Sequence, residues 1–119
     1  MDSKELEFNK NEDKMLQRIA DLQRRLKKIY EGGGKKRIEK EHEKGKMTAR
    51  ERVDYLLDKD TERIEIGAFA GDGMYEEHGG CPAGGVVVVM GYVSKKLCLV
   101  VANDATVKAG AWFPITGKK

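Results

Sequence analysis

Residues 97–116 read LCLVVANDATVKAGAWFPIT, and the order of residue types in this stretch decides the fold. A run rich in leucine and valine, Leu97 to Ala102, stops at Asn103-Asp104 and gives way to a loop of mostly small residues, Ala105 to Ala111, ahead of Trp112-Phe113-Pro114. A strand that empties into small residues lets a ligand approach backbone N–H groups, because alanine and glycine put little side chain in the way. This loop is where chemistry is to be sought. Immediately upstream, Gly85 to Val93 and Leu97 to Ala102 flank Ser94-Lys95-Lys96 and read as a hairpin with a short loop. Both arms are nearly continuous apolar runs, so the hairpin is expected to be covered on both faces.

Further upstream, Gly67 to Gly85 carries seven glycines and forms a long loop, either functional or mobile by its length. Arg63 to Ile66 alternates charged and apolar residues as a half-buried strand does. Thr48-Ala49-Arg50-Glu51 matches the capping box, and the helix it opens is expected to turn Val53, Leu56 and Leu57 inward and to stop near Asp58. Lys35 to Lys46 offers only Ile38 for burial and reads as a short solvated helix or loop. From Asn11 to Tyr30, Met15, Ile19, Leu22, Leu26 and Ile29 recur at steps of four and three, the stripe of an amphipathic helix, which Gly32-Gly33-Gly34 terminates.

The 119 residues can build one small domain with a modest core. Lys and Arg number 23 against 20 Asp and Glu, a net charge of +3 with the signs interleaved, which argues against a nucleic-acid footprint. No apolar targeting segment follows Met1, and the longest apolar run falls short of a membrane span. Cys81 and Cys98 show no disulfide framework, so the economical reading is a soluble cytoplasmic protein with free thiols and no membrane partner.

The remaining candidates for chemistry are weak. Gly71-Asp72-Gly73 lacks the third glycine of a dinucleotide fingerprint, and Gly32-Gly33-Gly34-Lys35-Lys36 lacks the spacing and hydroxyl of a P-loop. His78 and Cys81 offer two metal ligands where a site needs three or four, so no metal is expected. Cys98 reads as a core thiol and Glu76-Glu77 as a solvated loop edge. Asp104 has two readings of equal standing, a crevice residue at a strand end or half of an Asn-Asp turn pair. No Ser/His/Asp or Cys/His constellation is present, and no catalytic side chain is assigned.

Three segments matched in order carry a family resemblance: KGKMTARERVDYLLD, EIGAFAGDGMYEEHGGCPAGGVVVV and ANDATVKAGAWFPITGKK. Together they resemble the N-terminal end of the carboxyltransferase β-subunits of biotin-dependent acyl-CoA carboxylases, the propionyl-CoA and methylcrotonyl-CoA group. The resemblance implies an α/β chain: an N-terminal helical segment over residues 1–58, then over 59–119 the first strands of a crotonase-like domain, incomplete in a chain read as an N-terminal fragment. It implies transfer of a carboxyl group from carboxybiotin on a partner protein to the α-carbon of a short acyl-CoA, with backbone donors stabilising the developing oxyanions. Implied partners are biotin carboxylase and the biotin carboxyl carrier protein, and the implied assembly is a hexamer. The family's oxyanion pairs fall C-terminal to these residues, so these residues alone are expected to be inactive. What carries over is a backbone contribution to the CoA site from Ala105, Thr106, Val107, Lys108, Ala109, Gly110 and Ala111.

Departures are mild: Ala109 stands where many relatives have a second glycine, Val89 where they often have glycine, and Lys95-Lys96 where they often have Gly-Arg. Lys46 or Arg50 could face a CoA phosphate, but structural roles are expected for both. Lys108 could do the same or simply be solvated. Trp112 and Phe113 are expected to anchor the loop in the core, with an acyl or adenine pocket as the other reading. Two rival functions remain: a noncatalytic helical interaction module acting through the Met15 to Ile29 stripe, and a CoA-binding relative with other chemistry such as decarboxylation.

Overall fold

The computed structural model describes residues 2–119. Helix α1 spans Ser3–Tyr30, with Asp2 capping its first turn by accepting from the Lys4 N–H. It therefore begins well ahead of Asn11. Of its apolar stripe only the last turns meet the rest of the molecule: Ile29 is buried and Leu26 half-buried, while Met15, Ile19 and Leu22 remain exposed. An ion pair from Arg25 to Asp72 ties this end of α1 to the glycine-rich loop, and the Arg25 guanidinium also lies 5.6 Å from the Phe69 ring centre. Gly32 and Gly34 adopt φ of +52° and +93°, a turn that side chains resist, and helix α2 (Lys35–Glu43) leaves from it.

Helix α3, Ala49–Leu56, opens with both halves of the capping box in place. The Thr48 hydroxyl accepts from the Glu51 N–H at 3.2 Å, and the Glu51 carboxylate accepts from the Thr48 N–H at 2.8 Å. Ala49, Val53 and Leu57 turn to the core, but Leu56 stays 48% exposed, which corrects the expectation for that residue. The reason is local. Leu57 leaves the helix in extended backbone and takes the inward place itself.

A three-stranded antiparallel sheet follows, in the order β1 (Ile64–Glu65), β2 (Val86–Val93), β3 (Lys96–Asn103). The hairpin turn is Ser94-Lys95, both residues left-handed at φ 49° and 66°, as a two-residue turn of this hand requires. Neither is Asn or Gly. The Asp58 carboxylate compensates by accepting from the Ser94 and Lys95 N–H groups at 2.8 and 2.7 Å.

Successive strand side chains alternate between faces, so Val87, Val89, Val100 and Ala102 pack against Ala49, Val53 and Leu57 as the core. Leu97, Leu99 and Val101 point the other way and are about 60% exposed, beside Met90 and Tyr92. The expected cover on both faces thus holds for Val86 to Val89 of β2 and fails for β3, because the described residues supply a helical layer on one side only. On β1 the alternation expected of a half-buried strand is present, with the charged residue on the covered side. Ile64 and Ile66 face out, and Glu65 turns in to meet Arg50 through two hydrogen bonds of 2.9 Å each. Arg50 in turn stacks 4.3 Å from the Tyr30 ring centre, so one guanidinium joins α1, α3 and β1.

Candidate functional site

The loop after β3 is fixed by its own first polar residues. Asp104 is buried, and its Oδ1 accepts from the Thr106 N–H at 2.9 Å and from the Thr106 hydroxyl at 2.6 Å. Of its two readings the turn role is the one the geometry shows, since these bonds close a tight turn at the strand end. Thr106 and Val107 are buried as well, at 3% and 2% exposure. Lys108, Ala109 and Gly110 then run through left-handed φ values of 47°, 54° and 82°. The Asn103 side-chain amide donates to the Gly110 carbonyl at 3.1 Å and draws the two ends of the loop together.

The aromatic residues that follow divide. Phe113 is half-buried, stacked on Tyr75 with ring centres 4.5 Å apart and near His78 at 6.2 Å. Trp112, expected to anchor the loop, is 69% exposed and does not. Cys81 is the deeply buried thiol, its pKa pushed up by desolvation, whereas Cys98 is only half-buried on the inner face of β3. His78 is exposed, and among the described residues no three His, Cys, Asp or Glu side chains gather to hold a metal. Glu76 and Glu77 are solvated, as read from the sequence.

Beside the loop lies a cleft of about 410 Å³, walled on one side by Asn103, Ala105 and Thr106 and on the other by Lys46, Met47, Thr48, Ala49 and Arg52. Its acidic member, Glu41, is engaged by Lys44 at 2.8 Å, and this hydrogen bond holds the Glu41 carboxyl below its usual pKa. Lys46 and Arg52 are exposed, and neither has a salt-bridge partner among the described residues. The cleft is thus a cationic mouth against a backbone of small residues, a combination suited to an anionic ligand. Arg50 is structural, as expected. Lys46 is not built into the packing, and Arg52 was not singled out from sequence at all. Its one signal is that the Ala49, Val53, Leu57 face of α3 leaves it pointing away from the core.

The carboxyl transferase domain model matches residues 40–119, a span that takes in the cleft and the loop together. This chain belongs to the carboxyl transferase domain family. Among its relatives, the probable mitochondrial methylcrotonoyl-CoA carboxylase beta chain of Drosophila melanogaster is 42% identical over 119 residues, all of this chain and 20% of that protein. A transcarboxylase 12S hexamer, crystallised with methylmalonyl-coenzyme A and methylmalonic acid bound, superposes with a TM-score of 0.76 at 34% identity over 88% of this chain and 21% of its own. The geranyl-CoA carboxylase beta subunit of P. aeruginosa superposes at 0.79 with 28% identity over 93% of this chain and 20% of its own. This carboxyl transferase chain spans about one fifth of the length of the relatives it matches. The expected α/β architecture, N-terminal helices followed by the first strands of a crotonase-like domain, is the one these neighbours share.

Proposed function

We propose that the intact protein is the carboxyltransferase subunit of a biotin-dependent acyl-CoA carboxylase, moving a carboxyl group from carboxybiotin to the α-carbon of a short acyl-CoA of the propionyl or methylcrotonyl class. The observation that carries the reading is the cleft: in a chain of this family, two unpaired cations, Lys46 and Arg52, stand across from the backbone of Ala105 and Thr106. Coenzyme A presents that combination with phosphates for the cations and a flat base and pantetheine arm for a small-residue backbone. Ala105 to Ala111 is the segment we assign to the CoA site, and of it Ala105 and Thr106 line the cleft. Two of the relatives are named for methylcrotonoyl and geranyl thioesters, and the third was crystallised with methylmalonyl-coenzyme A bound. That range supports a shared CoA-handling role for the part they have in common with this chain, with acyl choice made elsewhere.

Carboxybiotin supplies an activated carboxyl group when its carrier docks. No side chain among the described residues is assigned to the biotin ring. What these residues contribute to the reaction is binding: they hold and orient the thioester so that its α-carbon lies where the carboxyl group is delivered. In this reading residues 1–58 are a helical segment and 59–119 the start of the catalytic domain, and the partners are biotin carboxylase and the biotin carboxyl carrier protein. A hexamer is the assembly, supported by the hexameric transcarboxylase neighbour. The free thiols Cys81 and Cys98 accord with a reducing compartment, here the cytoplasm. No helix among the described residues is long and apolar enough to cross a membrane.

Calorimetric titration of CoA and propionyl-CoA into the intact protein, with native mass analysis, tests the reading. Saturable binding to a hexamer supports it. A folded intact protein that binds neither ligand overturns it. The rival helical module is tested by Leu22→Asp with Leu26→Asp: on that view partner capture is lost while CoA binding is absent throughout.

A further inference from the structure

The α1–α2 junction and the loop after β3 lie roughly seventy residues apart in sequence and are in contact in the fold. The Gly33 N–H donates to the Thr106 hydroxyl at 2.9 Å, and the Arg37 guanidinium donates to the Thr106 carbonyl at 3.2 Å. Thr106 Oγ1 in turn donates to Asp104, so a single hydroxyl both closes the strand-end turn and receives the junction. The approach is close enough to require glycine: a Cβ on Gly33 would stand 1.7 Å from the Thr106 carbonyl oxygen, and one on Gly32 would stand 2.8 Å from both Asp104 Oδ2 and Thr106 Oγ1. Among the described residues no fully buried side-chain nitrogen or oxygen lacks a hydrogen-bond partner, and Asp104 and Thr106 are more than nine-tenths buried. Nothing in the packing of the sheet calls for it, since the core lies on the α3 side and contains none of these residues.

We infer that Gly33 and Arg37 are positioning residues: the triglycine turn and α2 latch the Asp104–Thr106 turn, and so set the Ala105–Thr106 backbone against the cationic mouth of the cleft. The inference rests on the CoA-binding role proposed for that cleft. Residues 108–110 are all left-handed, a single tight turn closed by the Gly110 N–H on the Val107 carbonyl and the Ala111 N–H on the Lys108 carbonyl with no strand beside it, so its place against the cleft depends on anchors at its start. Asn103 to Gly110 supplies one anchor from within. The latch supplies the other, from the N-terminal helices.

The test uses the intact protein with Thr106→Val, Thr106→Ser, Arg37→Met and Arg37→Lys, reading amide hydrogen exchange over residues 103–111 and the CoA dissociation constant. Thr106→Val removes the shared hydroxyl, and both exchange in the loop and the dissociation constant rise about tenfold or more, the effect expected when its two hydrogen bonds are lost together. Thr106→Ser restores both to within about twofold, because the hydroxyl and its two partners are kept. Arg37→Met lies outside the cleft and raises KM for acyl-CoA about threefold with kcat unchanged, an effect Arg37→Lys partly repairs. Exchange over residues 86–93 stays at the wild-type rate in each variant that retains the fold. If Thr106→Val does not fold, the Arg37 pair carries the test alone. Unchanged loop exchange in Thr106→Val or Arg37→Met shows that no latch exists. Faster loop exchange with unchanged CoA affinity shows a latch that does not position the site. A wild-type protein that binds no CoA overturns the functional reading and the positioning role together, while the exchange arm still reports whether the junction holds the loop.

Discussion

Replacing Glu65 by Gln leaves the Arg50 guanidinium without its counter-ion at the point where α1, α3 and β1 meet, and the cost follows from the burial of the pair. The two side chains are 23% and 15% exposed, and both hydrogen bonds are 2.9 Å in a forked geometry. Solvated pairs contribute about 0.2–1 kcal/mol, whereas stranding one partner of a fully buried pair costs about 3–5 kcal/mol. At this intermediate burial the expected loss is about 2 kcal/mol for Glu65→Gln. Arg50→Met should lose about 3 kcal/mol, because it also gives up the contact with the Tyr30 ring, for which about 1 kcal/mol is typical. The double variant should show about 2 kcal/mol of coupling. Amide exchange over residues 49–57 and 64–66 in the intact protein reads these values as local opening, where 2 kcal/mol is about a thirtyfold change in rate. Single variants that shift exchange by less than about twofold, or strictly additive effects, would refute the claim that this ion pair fastens the three elements.

Four further outcomes follow from the geometry. The Glu51 carboxyl is held below its usual pKa by the Thr48 N–H and then by His42, so the stabilisation it gives is present above the unfolded-state pKa and disappears as pH falls through the lower folded-state value; melting midpoints of wild type and Glu51→Gln should differ at neutral pH and converge in acid. Thr48→Ala, which removes the other half of the box, should cost about 1 kcal/mol when measured by exchange in α3. Ala109 sits at φ 54°, so Ala109→Gly should relieve about 1 kcal/mol of backbone strain and slow exchange in the loop; faster exchange would show that the left-handed conformation is not kept. Lys46→Glu and Arg52→Glu should each weaken CoA about tenfold at low ionic strength, with the deficit shrinking near 1 M salt where screening acts over about 3 Å; a deficit that ignores salt would mean that neither side chain meets a phosphate.

Local signals proved legible in the sequence where one residue type has one physical use. The capping box at Thr48 and Glu51, the helix stop at Gly32 to Gly34 and the hairpin around Ser94-Lys95 all lie where their chemistry puts them. Reading failed where a tertiary partner outweighed pattern. Alternation marked Arg63 to Ile66 as a half-buried strand without saying which side is covered, and a charged partner on α3 draws Glu65 in while Ile64 and Ile66 stay exposed. Two apolar hairpin arms suggested two covered faces, yet continuous hydrophobicity cannot say which residues provide the second layer. Trp112 and Phe113 are equally apolar neighbours, and only the position of Tyr75 decides that Phe113 is the anchor. At the site, the small-residue loop was visible from composition, and Asp104 was narrowed to two roles. Gly33, Arg37 and Arg52 were not, because their significance is a contact across the chain and no local pattern encodes it.

The most direct test is transfer of a labelled carboxyl group from carboxybiotin carrier protein to propionyl-CoA or methylcrotonyl-CoA by the intact protein. The account predicts label in the acyl-CoA product, dependent on the protein and reduced when Lys46 and Arg52 are both reversed in charge. A folded hexamer that binds CoA but transfers no label to either thioester would contradict it.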